Sequence, residues 1–183
     1  SEGVIQGIID DRERTHEALI TIDAEGAGGR LLANSGLKPV DEKHILPALQ
    51  YELVDIEVEE DSVDLFFGRR YAPNFFAWLI PTGSDSARVG LASNQGDIRQ
   101  LLDKFVDEHF RASTNTGRRT GLIITGEPIP KTCLRGFMAV GDVAGQTKPT
   151  TGGGVVTGGI CALVAARAAA TALEGHDTSL TLL

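Results

Sequence analysis

The residues with the most chemical content lie in one run, GDVAGQTKPTTGGG, at positions 141–154. Asp142 follows an apolar stretch, Phe137–Val140, that reads as a strand, so its carboxylate stands at a strand's carboxyl end, where open α/β sheets bind ligands. A carboxylate there accepts hydrogen bonds from two hydroxyls of a sugar or polyol. Gly141 beside it removes a Cβ and lets a ligand meet the backbone. Gly152, Gly153 and Gly154 then open a long helical stretch. The first N–H groups of a helix have no internal partner, and with the helix dipole they seat a phosphate or an electron-rich carbonyl. A turn that only joined strand to helix would not need three glycines, each costing about 1 kcal/mol relative to Ala. Ligand binding is therefore the favoured reading of this run.

Glycine is abundant overall, with 22 residues, and it is clustered. Seven lie between Gly141 and Gly159 and four more between Gly26 and Gly36. Two clusters far apart in sequence point to two places where backbone approaches something closely.

The elements that must position these loops follow from periodicity. Residues 3–9 and 18–23 are β-rich runs around a charged turn, Asp10–Arg14, and predict a hairpin feeding a strand that ends at Asp23. A Gly-rich turn and a short helix over 30–35 follow, with Gly36 as its C-cap. Between Ala48 and Asn94 the pattern is mostly period two and predicts four antiparallel strands. Residues 97–110 switch to helical period, with Ile98, Leu101, Leu102, Phe105, Val106 and Phe110 on one stripe that covers the sheet. A polar loop is expected over 111–120, then short strands at 122–125 and 137–140. The last helix runs from about Gly153 to Leu173. Its small residues Gly158, Gly159, Ala162, Ala165 and Ala166 suit close packing against a sheet. Arg167 and the Ala/Gly-rich composition favour a buried soluble helix over a membrane span. The expected fold class is α+β, with a nucleotide-domain remnant at 1–37 and 118–183 and an antiparallel-sheet domain at 38–117.

Composition closes off several functions. The chain has 183 residues, 42% hydrophobic and 23% charged, so it can bury a core and is not a disordered tail. Its formal charge of 17 − 25 = −8, without a Lys/Arg cluster, argues against a nucleic-acid partner. The two cysteines, Cys133 and Cys161, have neither CxxC spacing nor enough number to staple the fold, which favours a reduced, cytoplasmic setting. His16, His44, His109 and His176 are scattered and suggest no metal site. The N-terminal residues lack the pattern of a secretory signal.

Three stretches together resemble the geranylgeranyl reductase family, digeranylgeranylglycerophospholipid reductase-like flavoproteins within the wider para-hydroxybenzoate hydroxylase-like group. GDVAGQTKPTTGGG followed by VVTGG is similar to the family's second FAD-contacting motif. IDAEGAGGRL (22–31) is similar to its central Asp-Gly motif, with Glu25 where Asp is usual. APNFFAWLIPTGSDSARVGLAS (72–93) resembles its substrate-domain signature, with Phe76 and Ile80 replacing a Tyr and a Phe around Trp78 and Pro81. No GxGxxG unit and no cysteine-containing flavin motif occurs, so the resemblance implies a central-to-C-terminal fragment of such an enzyme, inactive by itself.

The resemblance implies FAD as cofactor, reduced by an external donor such as NAD(P)H or ferredoxin, and reduction of C=C bonds in prenyl lipids or pigments. Carried over residue by residue, Gly141 and Asp142 would hold ribityl or ribose hydroxyls. Gly152, Gly153, Gly154 and Val155 would present backbone N–H groups to the flavin end. Pro149 and Thr150 would shape the loop beside the ring, with Lys148 a flavin or lipid-phosphate contact. Glu25 and Gly26 would lie on the cofactor's other side. Phe66, Phe76, Trp78 and Ile80 would line a prenyl groove, with plain sheet core as the equal alternative. Peripheral membrane contact would follow from such a substrate. Other readings are a related monooxygenase or halogenase, a quinone-linked dehydrogenase, and a noncatalytic module that binds apolar ligands.

Overall fold

The computed structural model describes residues 3–180. The chain divides into two compact units, one formed by residues up to His44 together with Ile124 onward, the other by Ile45–Ile123. The sequence boundaries at 37/38 and 117/118 fall a few residues earlier.

In the first unit a two-stranded hairpin pairs β1 (Gly7–Ile9) with β2 (Thr15–Glu17). Asp10 builds its turn by accepting from the backbone N–H groups of Arg12 and Arg14, each at 2.9 Å, and from Arg14 Nε at 2.8 Å. These donors hold the Asp10 carboxyl well below the usual range. The strand β3 (Thr21–Asp23) is separate from that hairpin and runs parallel to β10 (Phe137–Ala139), which pairs antiparallel with β9 (Cys133–Leu134) on its other side. The expected hairpin thus closes on 15–17, and the run 18–23 joins a different sheet. Register pairs Ala139 with Asp23, so both parallel strands end at the same edge. Both Gly-rich loops leave from that edge. A short helix α1 (Arg30–Ser35) follows the first and ends at Gly36, which has φ 90°. The long helix α3 (Val155–Glu174) follows the second.

α3 differs from the expected buried helix. Ala169 is the one buried residue of the helix, and Ala165, Ala168 and Ala172 pack with it on Met138, Ile20 and Cys133. Of the small residues expected to face the sheet, Gly158 approaches Gly141, whereas Gly159, Ala162 and Ala166 face outward. Three short strands cannot cover both sides of a helix of 20 residues, so Val155 is 91% exposed and Leu163 63%. By length and composition alone the helix is long and apolar enough to cross a membrane.

The second unit is a five-stranded antiparallel sheet of order β5-β6-β7-β4-β8 under one helix. Its strands are β4 (Ile45–Val54), β5 (Asp64–Phe67), β6 (Phe76–Gly83), β7 (Ser86–Ala92) and β8 (Thr114–Ile124). The helix α2 (Ile98–His109) starts at Asp97, whose carboxylate accepts from Arg99 N–H at 2.8 Å and Gln100 N–H at 3.3 Å. Its Leu102 and Phe105 are fully buried against Leu49, Leu53, Ala77, Leu79, Val89 and Leu91. Those residues alternate along their strands, as a sheet with one covered face requires. Tyr51 joins this face by donating to Asp103 on α2 at 2.6 Å, and burial beside that carboxylate pushes its phenol up to about 12. β8 corrects the expected loop at 111–120. It is an edge strand whose Thr, Asn and Arg side chains are mostly exposed, so backbone pairing with β4 forms it without an apolar pattern.

Candidate functional site

The edge where β3 and β10 end carries the candidate cofactor site. After β10 the chain enters a tight turn, Gly141–Ala144, at the left-handed φ of Gly141, 81°. Gln146 clamps that turn: its Oε1 accepts from Gly141 N–H at 2.8 Å and its own N–H donates to the Gly141 carbonyl at 3.1 Å. Thr147 is buried and donates its hydroxyl to the Ile124 carbonyl at 2.8 Å. Thr157, in the first turn of α3, donates to the Gln146 carbonyl at 2.7 Å. Lys148 N–H reaches back to the Gly153 carbonyl at 3.0 Å, which closes the loop upon itself. The loop is therefore fixed at both ends while Lys148, Pro149 and Thr150 stand exposed at its tip.

This frame brings Asp142 to the start of α3. A Cβ placed on Gly154 would lie 2.5 Å from Asp142 Oδ1. The glycine thus provides the room that the carboxylate occupies. Asp142 is half-buried, and among the described residues its carboxylate accepts no hydrogen bond. Gly154, the N-cap of α3, offers no side-chain acceptor either, so the first-turn amides beginning at Val155 remain uncapped. An acceptor that lacks a donor and donors that lack an acceptor lie side by side. That pairing fits a ligand carrying both hydroxyls and an anionic or electron-rich group, as FAD does.

The first Gly-rich loop is adjacent, with the Gly26–Gly28 turn packed on the Gly141–Ala144 turn. Glu25 turns its carboxylate toward α1, where Oε1 accepts from Leu31 N–H at 2.6 Å and Leu32 N–H at 3.3 Å. Gly26 takes the left-handed conformation and has open space around the missing Cβ. Asp23 is a residue that the sequence marked only as a strand end. It is 1% exposed; its carboxylate accepts from Glu25 N–H at 3.1 Å, and Oδ2 is buried without a partner among the described residues. Burial, with Glu25 nearby, raises its pKa. An acidic residue that ends a strand just before a Gly-rich turn is the signal that could have drawn attention to it. A cleft of about 340 Å³ between β1 and α1 is lined by Ile5, Leu31, Asn34 and Phe137 among others, with no titratable side chain in its lining.

In the second unit the aromatic residues divide. Phe76, Trp78 and Ile80 share the sheet face opposite α2, since Ala77 and Leu79 between them fill the helix-covered core. Phe66 is opposite Ala77 in register and packs edge-on to Phe105 of α2, ring centroids 4.9 Å apart. It belongs to the core face and does not join the other three. Its neighbour Phe67, 73% exposed and paired with Phe76, takes its place on the open face, with Leu65 beside Trp78. The missed signal is strand register, which the sequence of β5 alone does not give. Trp78 lies over Gly90, where a Cβ would come within 2.6 Å of the indole, and its Nε1 donates to Gln50 at 3.2 Å.

A family model described as the geranylgeranyl reductase catalytic domain matches residues 44–124. The chain is 33% identical to digeranylgeranylglycerophospholipid reductase 2 of Methanopyrus kandleri, over the whole chain and 50% of that protein. The chain thus spans about half the length of this curated relative. A solved geranylgeranyl bacteriochlorophyll reductase-like protein from Thermoplasma acidophilum superposes with a TM-score of 0.83 at 28% identity, covering 90% of this chain and 44% of that one. A flavin-dependent brominase shares the fold at a TM-score of 0.65 and 16% identity, over 90% of this chain and 46% of its own. The similarity to geranylgeranyl reductases thus runs the length of this chain and over about half of the Methanopyrus kandleri relative.

Proposed function

We propose that the chain is the cofactor-gripping and substrate-binding portion of an FAD-dependent oxidoreductase that saturates C=C bonds in the prenyl chains of isoprenoid lipids. The observation that carries this reading is the unpartnered Asp142 carboxylate set against Gly154 at the uncapped start of α3. The relatives' names supply the substrate class.

When bound, the flavin, reduced by an external donor such as NAD(P)H or a ferredoxin, supplies the hydride chemistry. Asp142 accepts hydrogen bonds from its ribityl or ribose hydroxyls and orients it. The amides at Val155 and beyond donate to the flavin end and stabilise negative charge there, in a frame already fixed by Gln146, Thr147 and Thr157. On the other unit, Phe67, Phe76, Trp78 and Ile80 give the prenyl chain an apolar bed and keep water from it. Lipid substrates bring the protein to a membrane surface.

The test is mass analysis of a geranylgeranyl lipid incubated with protein expressed from the complete gene under reducing, anaerobic conditions. The expected product carries two added hydrogens per reduced double bond. Oxygen-dependent hydroxylation or halogenation, with the double bonds intact, would instead support the monooxygenase or halogenase reading, for which the brominase provides likeness of fold alone.

A further inference from the structure

The sheet face opposite α2 is not uniformly apolar, and on it Phe76 is buried and stacked on Phe75, ring centroids 4.1 Å apart, while Phe67 is exposed. At one corner lie Phe67, Phe76 and Trp78 on β5 and β6. At the opposite corner Glu52 of β4 stands beside Arg88 of β7, its register partner, and Arg119 of β8. Arg88 is in register with Ile80, four residues along β6 from Phe76, or roughly 13 Å at the usual strand rise. Phe67 and Arg119 are separated by four strand spacings, roughly 19 Å. The face therefore grades from aromatic to charged over a distance comparable to a long prenyl chain.

The charged corner has an unused surplus. Arg88 Nε donates to Glu52 Oε2 at 3.3 Å and Arg119 Nε to Oε1 at 3.2 Å, so one carboxylate serves two guanidiniums. Both contacts use Nε. Among the described residues the Nη amines of Arg88 and Arg119 have no other partner, and the side chains are 46% and 73% exposed. Two forks with free donors and a net charge of +1 form a recognition surface for a phosphate. It is local and opposes the overall −8.

We infer that Arg88 and Arg119, held apart by Glu52, seat the phosphate head group of an anionic prenyl lipid whose tail lies toward Trp78 and Phe76. This deepens the proposed function and rests on its assignment of the open face to a prenyl chain. The role of Glu52 is to hold the two guanidiniums in place while lowering their combined charge, which sets affinity below the maximum and permits release.

The chain has one tryptophan, Trp78, so its fluorescence reports directly on this face. Titrations of the 183-residue chain would use geranylgeranyl phosphate, geranylgeraniol and inorganic phosphate. The expected result is that the phosphorylated chain binds about tenfold tighter than the alcohol. The advantage shrinks with added salt. Arg88→Gln and Arg119→Gln each reduce it and leave the alcohol's affinity unchanged. Glu52→Gln moves the other way and tightens the phosphorylated ligand, an outcome that a purely structural ion pair would not produce. Equal affinities for phosphate and alcohol, or a ratio unmoved by the three variants, overturn the head-group site and leave the prenyl bed standing. Inorganic phosphate binding as tightly as the lipid overturns it in favour of a free-anion site. Loss of response to both prenyl ligands removes the prenyl bed itself, and the head-group site with it.

Discussion

Two carboxylates at the end of the parallel strands behave oppositely. Asp142 is half-buried and unpartnered, so its bonds are available to a ligand. Removing it should cost the fold little and the cofactor much. A charge-assisted hydrogen bond contributes about 1.5–3 kcal/mol, so Asp142→Ala should weaken flavin binding by roughly tenfold to a hundredfold, read by flavin fluorescence. Asp23, in contrast, is buried and its pKa is raised. A carboxyl that keeps its proton longer when folded makes the native state bind more protons than the unfolded one. Stability should therefore fall as pH rises from about 3.8, the ordinary value, through the raised one. The slope is at most about 1.4 kcal/mol per pH unit. Asp23→Asn should flatten this part of the profile in urea unfolding curves measured from pH 4 to 7. A variant with the parent's slope would show that Asp23 is not the group responsible.

Glycines make the sharpest claims at the level of elements. At Gly154 the backbone φ is −100°, open to any residue, and the conflict is with Asp142 alone. Gly154→Ala should leave the melting temperature nearly unchanged and still lower flavin affinity about tenfold, because the Asp142 carboxylate must move. At Gly90 the added methyl would meet the Trp78 ring at 2.6 Å and the Leu49 carbonyl at 2.8 Å. Backbone cannot yield as a side chain can, so Gly90→Ala should destabilise the second unit by about 1–3 kcal/mol and shift Trp78 emission. These positions also show what the sequence could reveal. The Gly-rich run at 141–154 stands out in the sequence, but the structure puts Gly152, Gly153 and Gly154 before α3, where Gly152 takes φ 65° and Gly154 leaves room for the Asp142 carboxylate. The four strands from β4 to β7 and α2 were legible because their apolar periods are clean. β8 was not, since an edge strand satisfies its backbone on one side and leaves its side chains in water, so no pattern marks it. Phe66 and Phe67 could not be assigned to faces without register, and one residue of register exchanges core for groove. The Glu52–Arg88–Arg119 cluster joins three strands across 67 positions and has no local signature at all.

The molecule as a whole holds two compact units, and its relatives are about twice as long. Val156, Ile160, Leu163 and Val164 on α3 expose apolar surface that a lone soluble domain rarely leaves contiguous. The 183-residue chain should bind an apolar dye such as anilinonaphthalene sulfonate, and Ile160→Glu with Leu163→Glu should suppress that signal while far-ultraviolet circular dichroism stays constant. The central claim is that the carboxylate at 142 and the helix start beside it grip a flavin. Protein expressed from the complete gene, as parent and as Asp142→Ala, tests it most directly through the flavin absorbance per polypeptide after purification. The parent should retain flavin near one equivalent and the variant should lose most of it with its circular dichroism intact. Equal flavin content in the two proteins, with equal affinity on titration, would contradict the account.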